Sequence, residues 1–298
     1  MFVMLREDNI VRFDWALKRL LRHKADHTIL NGFLSSLLNE KISITRMLES
    51  EGNKEYEENK YNRVDMLAED SKGQKILIEV QVETEDSYFH RMLFGTSKVI
   101  NEYLESGKGY ENVVKVYSIN IVYFKLGEGS DYAYHGKTEF KGMHDHDILE
   151  LSPKLKEKFK IDHIYEIFPE YYILKANDFN RLAVTPLEQW MHFLKHSQLP
   201  EGANAPGLKE AARELRISQL TREERRDYEK YIDNMLSLED VVESAYSSGR
   251  FEGKAEGRTE GIFEGKLQTA RRMKEQGLDF EMISTCTGIS IEELQKHL

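Results

Sequence analysis

The feature of the sequence that most restricts the fold is a pair of strand-like segments around a short polar turn. Segments 63–69 and 75–84 alternate apolar and polar residues, and Asp70-Ser71-Lys72-Gly73-Gln74 lies between them. This pattern predicts a β-hairpin. Because side chains alternate along a strand, one face of the second segment is wholly apolar, whereas Glu79 and Gln81 point to the other face. The apolar face is therefore expected to meet a core.

The segments around the hairpin predict an α/β fold. Apolar residues at helical spacing predict helices over three segments: 9–24, 26–38 and 86–105. Apolar, β-branched and aromatic residues predict strands over four more: 42–48, 113–124, 132–140 and 160–174. The expected architecture is a small mixed sheet with a central hairpin, flanked by helices and followed by a helical tail.

The last third of the chain predicts helices with clear starts. Thr185-Pro186-Leu187-Glu188 combines an N-cap, a proline at the first helical position and a capping-box acid. From Gly249 to Gly265 a glycine recurs at every fourth position, and two short helices are expected within 278–298. We expect three regions: a mixed α/β body at 1–180, a helical region at 181–248, and the glycine repeats with the C-terminal helix pair at 249–298.

Composition narrows the classes of function. The chain has 42 Lys and Arg against 52 Asp and Glu, a formal net charge of −10. This balance argues against coating nucleic acid by bulk charge, although a local basic face or a bound metal can still meet phosphate. Cys286 is the only cysteine, so no internal disulfide forms and a reducing compartment is expected.

The sequence also indicates the cytoplasm. No apolar run approaches the roughly 20 residues that a membrane span needs. The charged residues Arg6–Asp8 stand where a signal peptide has its apolar stretch.

The non-apolar face of the hairpin is the candidate site. Asp65 shares this face with Leu67, and a hairpin brings Asp65 beside or near Glu79. Mg²⁺ is commonly held by one or two carboxylates, waters and a substrate phosphate. Such an ion polarises the phosphate and lowers the pKa of a bound water. The alternative interpretation is an antiparallel hairpin with one solvent-facing surface.

Several segments together resemble the Rpn family of recombination-promoting nucleases in the PD-(D/E)XK nuclease superfamily, often labelled transposases. The similarity extends over nearly the whole chain. The matching pieces are Asp14–Lys18, Arg63–Asp65, Ile78–Gln81, the helix with Tyr88 and Arg91, Ile119–Ile121, the repeated Glu-Gly units, Gly277–Asp279 and Thr287–Ser290. The resemblance implies a DNA endonuclease that uses Mg²⁺ or Mn²⁺, linked to recombination or mobile elements.

The resemblance also implies roles for single residues. Asp65 and Glu79 are implied as metal ligands, the Val80 carbonyl completes the coordination, and Asp14 is the candidate for an additional acid. Gln81 stands where the motif that names the superfamily has lysine. Glutamine can orient a water or a phosphate by hydrogen bonds but cannot carry charge.

Four cations are candidates for DNA contact. Arg91 and Lys98 lie seven residues apart on one predicted helix and can contact phosphate or replace the missing lysine. Lys18 and Arg22 belong to a basic strip on the first helix, for which the solvent face of an amphipathic helix is an equal alternative. The family has tyrosine where this chain has Phe94.

Other patterns are weaker. His192 and His196 have the spacing of two zinc ligands without the glutamate of a metalloprotease motif, and surface histidines explain them better. The run His144–Asp147 fits a solvated loop, because adjacent residues rarely aim at one ion. The helix pair at 278–298 resembles a helix-turn-helix, but its acidic second helix favours protein contact over DNA readout.

Two rivals to catalysis remain open at this point, and the tail suggests a partner. A nuclease-like scaffold for protein interaction is compatible with the glutamine and the net acidity, and a DNA-binding module without cleavage is the second rival. For the repeats at 249–265, the alternatives are a flexible linker and a self-association helix. The latter predicts a homodimer through the tail.

Overall fold

The computed structural model describes residues 10–12, 15–16, 27–48, 66–104 and 109–298. The chain divides into two compact units, Met1–Tyr228 and Glu229–Leu298. The described part of the first unit contains a mixed sheet with helices, and the second is helical. The three-part division at 180 and 248 stays a prediction.

Within the described ranges, six strands form one sheet in the order β1-β2-β3-β4-β6-β5. Their bounds are Ile44–Leu48 (β1), Met66–Asp70 (β2), Lys75–Gln81 (β3), Val116–Val122 (β4), Ala133–Gly136 (β5) and Glu170–Lys175 (β6). The first three strands run antiparallel in succession, β3, β4 and β6 run parallel, and β5 is antiparallel to β6. The expected mixed α/β sheet with a hairpin inside it is therefore confirmed.

The hairpin turn is held by one aspartate side chain. Asp70 Oδ1 accepts hydrogen bonds from the backbone N–H groups of Lys72 and Gln74, both at 2.9 Å. Gly73 lies between them with a φ of 78°, a conformation that glycine adopts without strain. The turn sets a register in which Met66 pairs with Ile78.

Eight α-helices lie within the described residues, and two of them, at 153–159 and 208–214, were not predicted from the sequence. Their bounds are Thr28–Leu38 (α1), Tyr88–Tyr103 (α2), Pro153–Phe159 (α3), Pro186–His196 (α4), Leu208–Glu214 (α5), Arg222–Glu275 (α6), Phe280–Thr287 (α7) and Ile291–His297 (α8). The predicted capping box is present, since Thr185 accepts from Glu188 N–H at the start of α4. The predicted helix at 9–24 lies largely outside the described residues.

Both faces of the hairpin are buried. Ile76 and Ile78 lie in the core on one face. On the other face, Leu67 and Leu77 pack in one cluster with Val99 of α2. The solvent-facing hairpin surface considered above is therefore wrong, because α2 covers the face that carries Glu79. Strand β3 is also shorter than the predicted 75–84, since its partner β4 ends at Val122, opposite Gln81.

Helices α1, α4 and α5 pack together, and α1 lies unusually close to the backbone that leads into α5. The rings of Phe33 and Trp190 meet edge to face with centroids 5.4 Å apart. Gly32 of α1 lies against the segment that leads into α5, where an added Cβ would be 2.1 Å from the Pro206 carbonyl oxygen. No side chain fits at position 32 without moving backbone.

The second unit consists of α6 from Glu229 onward and the two short helices that follow it, while the first turns of α6 belong to the first unit. Thr221 and Glu224 cap the start of α6 reciprocally, at 2.9 and 3.2 Å. The flexible-linker alternative for 249–265 is wrong, because these residues are helical. Near its end α6 packs with α7 and α8 around five buried side chains: Leu267, Ala270, Ile283, Ile289 and Leu294. The short helices therefore use their apolar faces within the chain.

Candidate active site

The candidate site lies at the carboxyl ends of two parallel strands. Glu79 of β3 pairs in register with Asn120 of β4, and two residues later Gln81 pairs with Val122. The Glu79 residue is 5% exposed. A carboxylate so deeply buried needs nearby positive charge or hydrogen-bond donors, because burial strongly disfavours an isolated charge.

Asn120 anchors the start of α2 onto the sheet beside Glu79. Its Nδ2 donates to the carbonyl oxygen and the hydroxyl of Ser118 and to the Tyr172 carbonyl oxygen, at 3.0–3.2 Å. Its Oδ1 accepts from the Tyr88 hydroxyl at 3.3 Å. Asn120 is therefore committed to holding strand and helix together rather than to binding a ligand.

A glycine brings α2 close to the acid. Gly95 is buried in the middle of the helix, and a Cβ placed there would lie 3.4 Å from Leu77 Cδ2 and 4.0 Å from Glu79 Oε1. These are ordinary contact distances, so alanine fits at position 95 but a longer side chain would press on Glu79. The small residue thus sets the spacing between helix and site.

Arg91 is the positive group beside Glu79. Its Nε lies 3.4 Å from Glu79 Oε2, and its Nη1 donates to Glu85 Oε2 at 3.0 Å. Burial lowers the pKa of Arg91, but the charges of Glu79 and Glu85 outweigh it and the net pKa is raised. The guanidinium therefore stays charged and bridges the two acids.

Gln81 is half-buried at the mouth of the site. Its Nε2 donates to the Glu83 carbonyl oxygen at 3.2 Å. The amide N–H group makes that hydrogen bond, and the side-chain oxygen of Gln81 takes no part in it. This geometry suits an amide that orients a water or a phosphate.

The donors present fit a hard divalent cation in type. Glu79 supplies a carboxylate oxygen, Gln81 an amide oxygen and Val80 a backbone carbonyl on one strand segment, and oxygen is the ligand atom that Mg²⁺ prefers. A cation already sits beside Glu79 in the form of Arg91. Among the described residues, no three or more His, Cys, Asp or Glu side chains are grouped so that they could hold a metal.

Four of the predicted site residues lie outside the described part of the chain. They are Asp65, Asp14, Lys18 and Arg22. Of the remaining ones, Glu79, Gln81 and Arg91 are brought together at the end of β3. Lys98 is half-buried two helical turns beyond Arg91 on α2.

The histidine patterns do not form a metal centre among the described residues. The rings of His192 and His196 lie 4.6 Å apart, and His192 Nδ1 is 3.1 Å from the Gln198 carbonyl oxygen. Burial, together with the charges of His192 and Lys195, lowers the pKa of His196. Segment 144–147 lies in an exposed loop.

A second buried polar cluster lies at the opposite end of the parallel strands. Glu170 lies 2.7 Å from Lys115 Nζ and 2.6 Å from His135 Nε2. Burial lowers the pKa of Lys115, although Glu170 raises it in part. A cavity of about 330 Å³ opens beside Glu170, away from Glu79. Tyrosine, lysine and glutamate side chains line it, among them Tyr117, Tyr172 and Lys137. Its ion pairs are internally matched and hold β6 to its neighbours.

Sequence reasoning missed two residues of the site. Glu85 lies in the connection between β3 and α2, and only its contact with Arg91 reveals its place. Gly95 has an ordinary helical neighbourhood in the sequence, and its closeness to Glu79 arises from the packing of α2. Asn120 had a sequence signal, because it is the one amide within the predicted strand 113–124 and lies between two isoleucines.

The chain was compared with curated proteins, solved structures and family models. No curated protein and no solved structure matches the chain. Within the described residues, no helix is both long and apolar enough to cross a membrane. A family model described as PD-(D/E)XK nuclease family transposase matches residues 11–245 of the 298. This match includes the whole sheet and the helix that covers Glu79, and the chain belongs to the PD-(D/E)XK nuclease family transposases.

Proposed function

We propose that the protein is an endonuclease that hydrolyses DNA phosphodiester bonds with Mg²⁺ or Mn²⁺. The observation that carries the proposal is the buried Glu79 at the end of β3, beside the Arg91 cation. Membership of a nuclease family supports it. We propose hydrolysis, in which a water attacks the phosphodiester, as the reaction.

Two carboxylates complete the proposed metal site. The last described pair of the hairpin ladder is Met66 with Ile78, and the next residues in sequence are Asp65 and Glu79. We assign both as ligands together with the Val80 carbonyl, and Asp14 as an additional acid. When bound, the ion supplies charge neutralisation at the scissile phosphate and an activated water.

In this proposal the side chains of the protein bind the DNA phosphates and orient the attacking water. Gln81 positions the water or a phosphate oxygen through its amide, since it cannot take up or release a proton. Arg91 and Lys98 of α2, with Lys18 and Arg22, contact phosphates. Such contacts predict DNA binding that weakens steeply with added salt.

A plasmid assay tests this proposal. Supercoiled DNA incubated with the full chain and Mg²⁺ or Mn²⁺ should be converted to nicked and linear forms, and EDTA should stop the conversion. DNA binding without cleavage under all metal conditions would favour a DNA-binding module, and the absence of both binding and cleavage would favour the other rival, a nuclease-like scaffold for protein interaction. The glutamine at position 81, in place of lysine, is the feature that favours that rival.

Substitutions at Gln81 separate positioning from binding. Gln81→Ala is expected to lower kcat about tenfold or more, because a hydrogen bond to a charged group in the transition state is lost. The Kd for DNA should change far less. Gln81→Lys should retain or raise activity. Steady-state kinetics and DNA titration in Ca²⁺ check this, and a change in Kd with kcat intact would refute the positioning role.

We further propose that the tail forms a parallel homodimer. Met235, Leu238, Val242 and Ala245 follow the 3,4 spacing of a coiled-coil seam that continues to Gly249. Leu238 and Val242 are 52% and 66% exposed, an unusual state for apolar side chains on one helix face. A second copy of the helix would cover this seam.

Charges along the glycine segment support the parallel orientation. An added Cβ at any of the five glycines from Gly249 to Gly265 would meet nothing within 4 Å, so another backbone can approach. A basic row (Arg250, Lys254, Arg258) flanks the glycines on one side and an acidic row (Glu252, Glu256, Glu260, Glu264) on the other. In a parallel pair opposite rows meet, whereas an antiparallel pair sets like charges together.

Light scattering of the full chain tests the homodimer. Val242→Glu should raise the dimer Kd at least about tenfold, because a charge is buried in the seam. Ser244→Glu, on the far side of α6, is the matched control and should leave the Kd unchanged. In a Cys286→Ser background, Gly249→Cys should cross-link two chains if they are parallel. A monomeric wild type at high protein concentration would contradict the proposal.

We also propose a cellular location and a biological role. The single cysteine favours a cytoplasmic location. Membership of a transposase family supports a role in recombination or in mobile elements.

A further inference from the structure

Arg91 occupies a position between two acids that differ in burial. The Glu79 side chain is 6% exposed and the Glu85 side chain 28% exposed. The contact with Glu85, at 3.0 Å, is shorter than the 3.4 Å contact with Glu79. The guanidinium is therefore held mainly by the more exposed Glu85 through Nη1, and its Nε contacts the buried Glu79 at a longer distance.

In the metal-free protein, Arg91 neutralises the charge of the buried Glu79 carboxylate. A buried carboxylate without a counter-charge is costly, and Arg91 supplies that charge. A divalent cation held by Glu79 would draw on the charge of the same carboxylate and would repel the guanidinium. The two cations cannot both be held at full strength by one carboxylate.

We propose that Arg91 is a built-in counterion that competes with the metal for Glu79, and that Glu85 retains Arg91 when the metal displaces it. The inference rests on the proposed function, since it concerns metal loading at the same site. Glu85 lies in the connection between β3 and α2, so the guanidinium can leave Glu79 while keeping its shorter bond. Its released edge then becomes available to a DNA phosphate, which couples metal loading to substrate binding.

The proposal predicts opposite effects of two neutralising substitutions. Arg91→Gln removes the competitor and should tighten Mn²⁺ binding by about fivefold or more, the scale of a typical coupling between sites. Glu85→Gln leaves Arg91 with Glu79 as its remaining carboxylate partner among those described here, so Mn²⁺ binding should weaken. The double variant should bind Mn²⁺ like Arg91→Gln alone, because Glu85 acts through Arg91.

Mn²⁺ titration of the full chain without DNA, followed by electron paramagnetic resonance of the free ion, measures these affinities. Arg46→Gln is the matched control, since it removes an arginine from another carboxylate pair of the sheet, 2.9 Å from Glu69. It should leave the Mn²⁺ affinity unchanged. Thermal midpoints of all variants verify that the fold is retained.

Each remaining outcome has a distinct meaning. Unchanged or weaker Mn²⁺ binding by Arg91→Gln overturns the counterion role. A Glu85→Gln effect that persists in the double variant shows that Glu85 acts on the metal directly and overturns its role as the anchor. Mn²⁺ binding that Glu79→Gln leaves unaltered contradicts the proposed function itself, whereas loss of binding in that variant preserves it.

Discussion

Replacing Glu79 by glutamine is expected to reduce Mg²⁺-dependent DNA cleavage by about a thousandfold or more, which corresponds to about 4 kcal/mol in the activation free energy. The amide has the same shape as the carboxylate but offers the metal no negative charge. Activation of the water and neutralisation of the phosphate both depend on the ion. Asp65→Asn should cause a loss of similar size. Plasmid cleavage rates at saturating Mg²⁺ measure the effect.

The control for this experiment is Glu83→Gln. Glu83 is exposed and lies just beyond β3, so its neutralisation changes the charge of the region without touching the site. It should cleave within about twofold of the wild type, as surface substitutions normally have small effects. Undiminished cleavage by both Glu79→Gln and Asp65→Asn would refute the site.

The same substitution, glycine to alanine, is expected to have opposite effects in two helices. Gly32→Ala should destabilise the first unit by about 3 kcal/mol, because its Cβ would collide with the backbone at Pro206 and force α1 and the α5 segment apart. Gly257→Ala, in open space within α6 of the single chain, should stabilise that helix in the dilute monomer by up to about 1 kcal/mol, whereas in the proposed homodimer its methyl group would lie on the seam.

Two probes separate these changes. Both tryptophans, Trp15 and Trp190, belong to the first unit, so urea unfolding followed by tryptophan fluorescence reports on Gly32→Ala. Far-UV circular dichroism at fixed protein concentration reports on Gly257→Ala. Equal stability of Gly32→Ala and the wild type would show that α1 and the Pro206 segment do not approach as closely as described.

Local sequence patterns were sufficient for much of the fold. The hairpin at Asp70, the buried strand around Asn120 and the helix start at Thr185 each depend on neighbours within a few residues, through turn chemistry, apolar runs and capping. These were confirmed. Glu79 and Gln81 were placed on one face by alternation alone, and the structure keeps them there.

What the sequence could not show depends on packing between distant segments. Alternation in β3 cannot distinguish a face open to water from one covered by α2, because Leu77 and Glu79 are compatible with either. The bridge from Arg91 to both acids arises from the distance between helix and strand. The helical state of the glycine repeats was also open, since the cost of five glycines argued for a linker.

The turn at Asp70 has a consequence for how this gene can vary. Substitutions at the exposed Ser71 and Lys72 leave the aspartate bonds to the backbone in place. A one-residue insertion or deletion, in contrast, would shift the strand by one step and exchange its two faces, so that Ile78 (after an insertion) or Val80 (after a deletion) would stand where Glu79 stands now. Descendants of this protein can therefore lose activity through a change in the length of this turn, even when the gene still encodes every site residue.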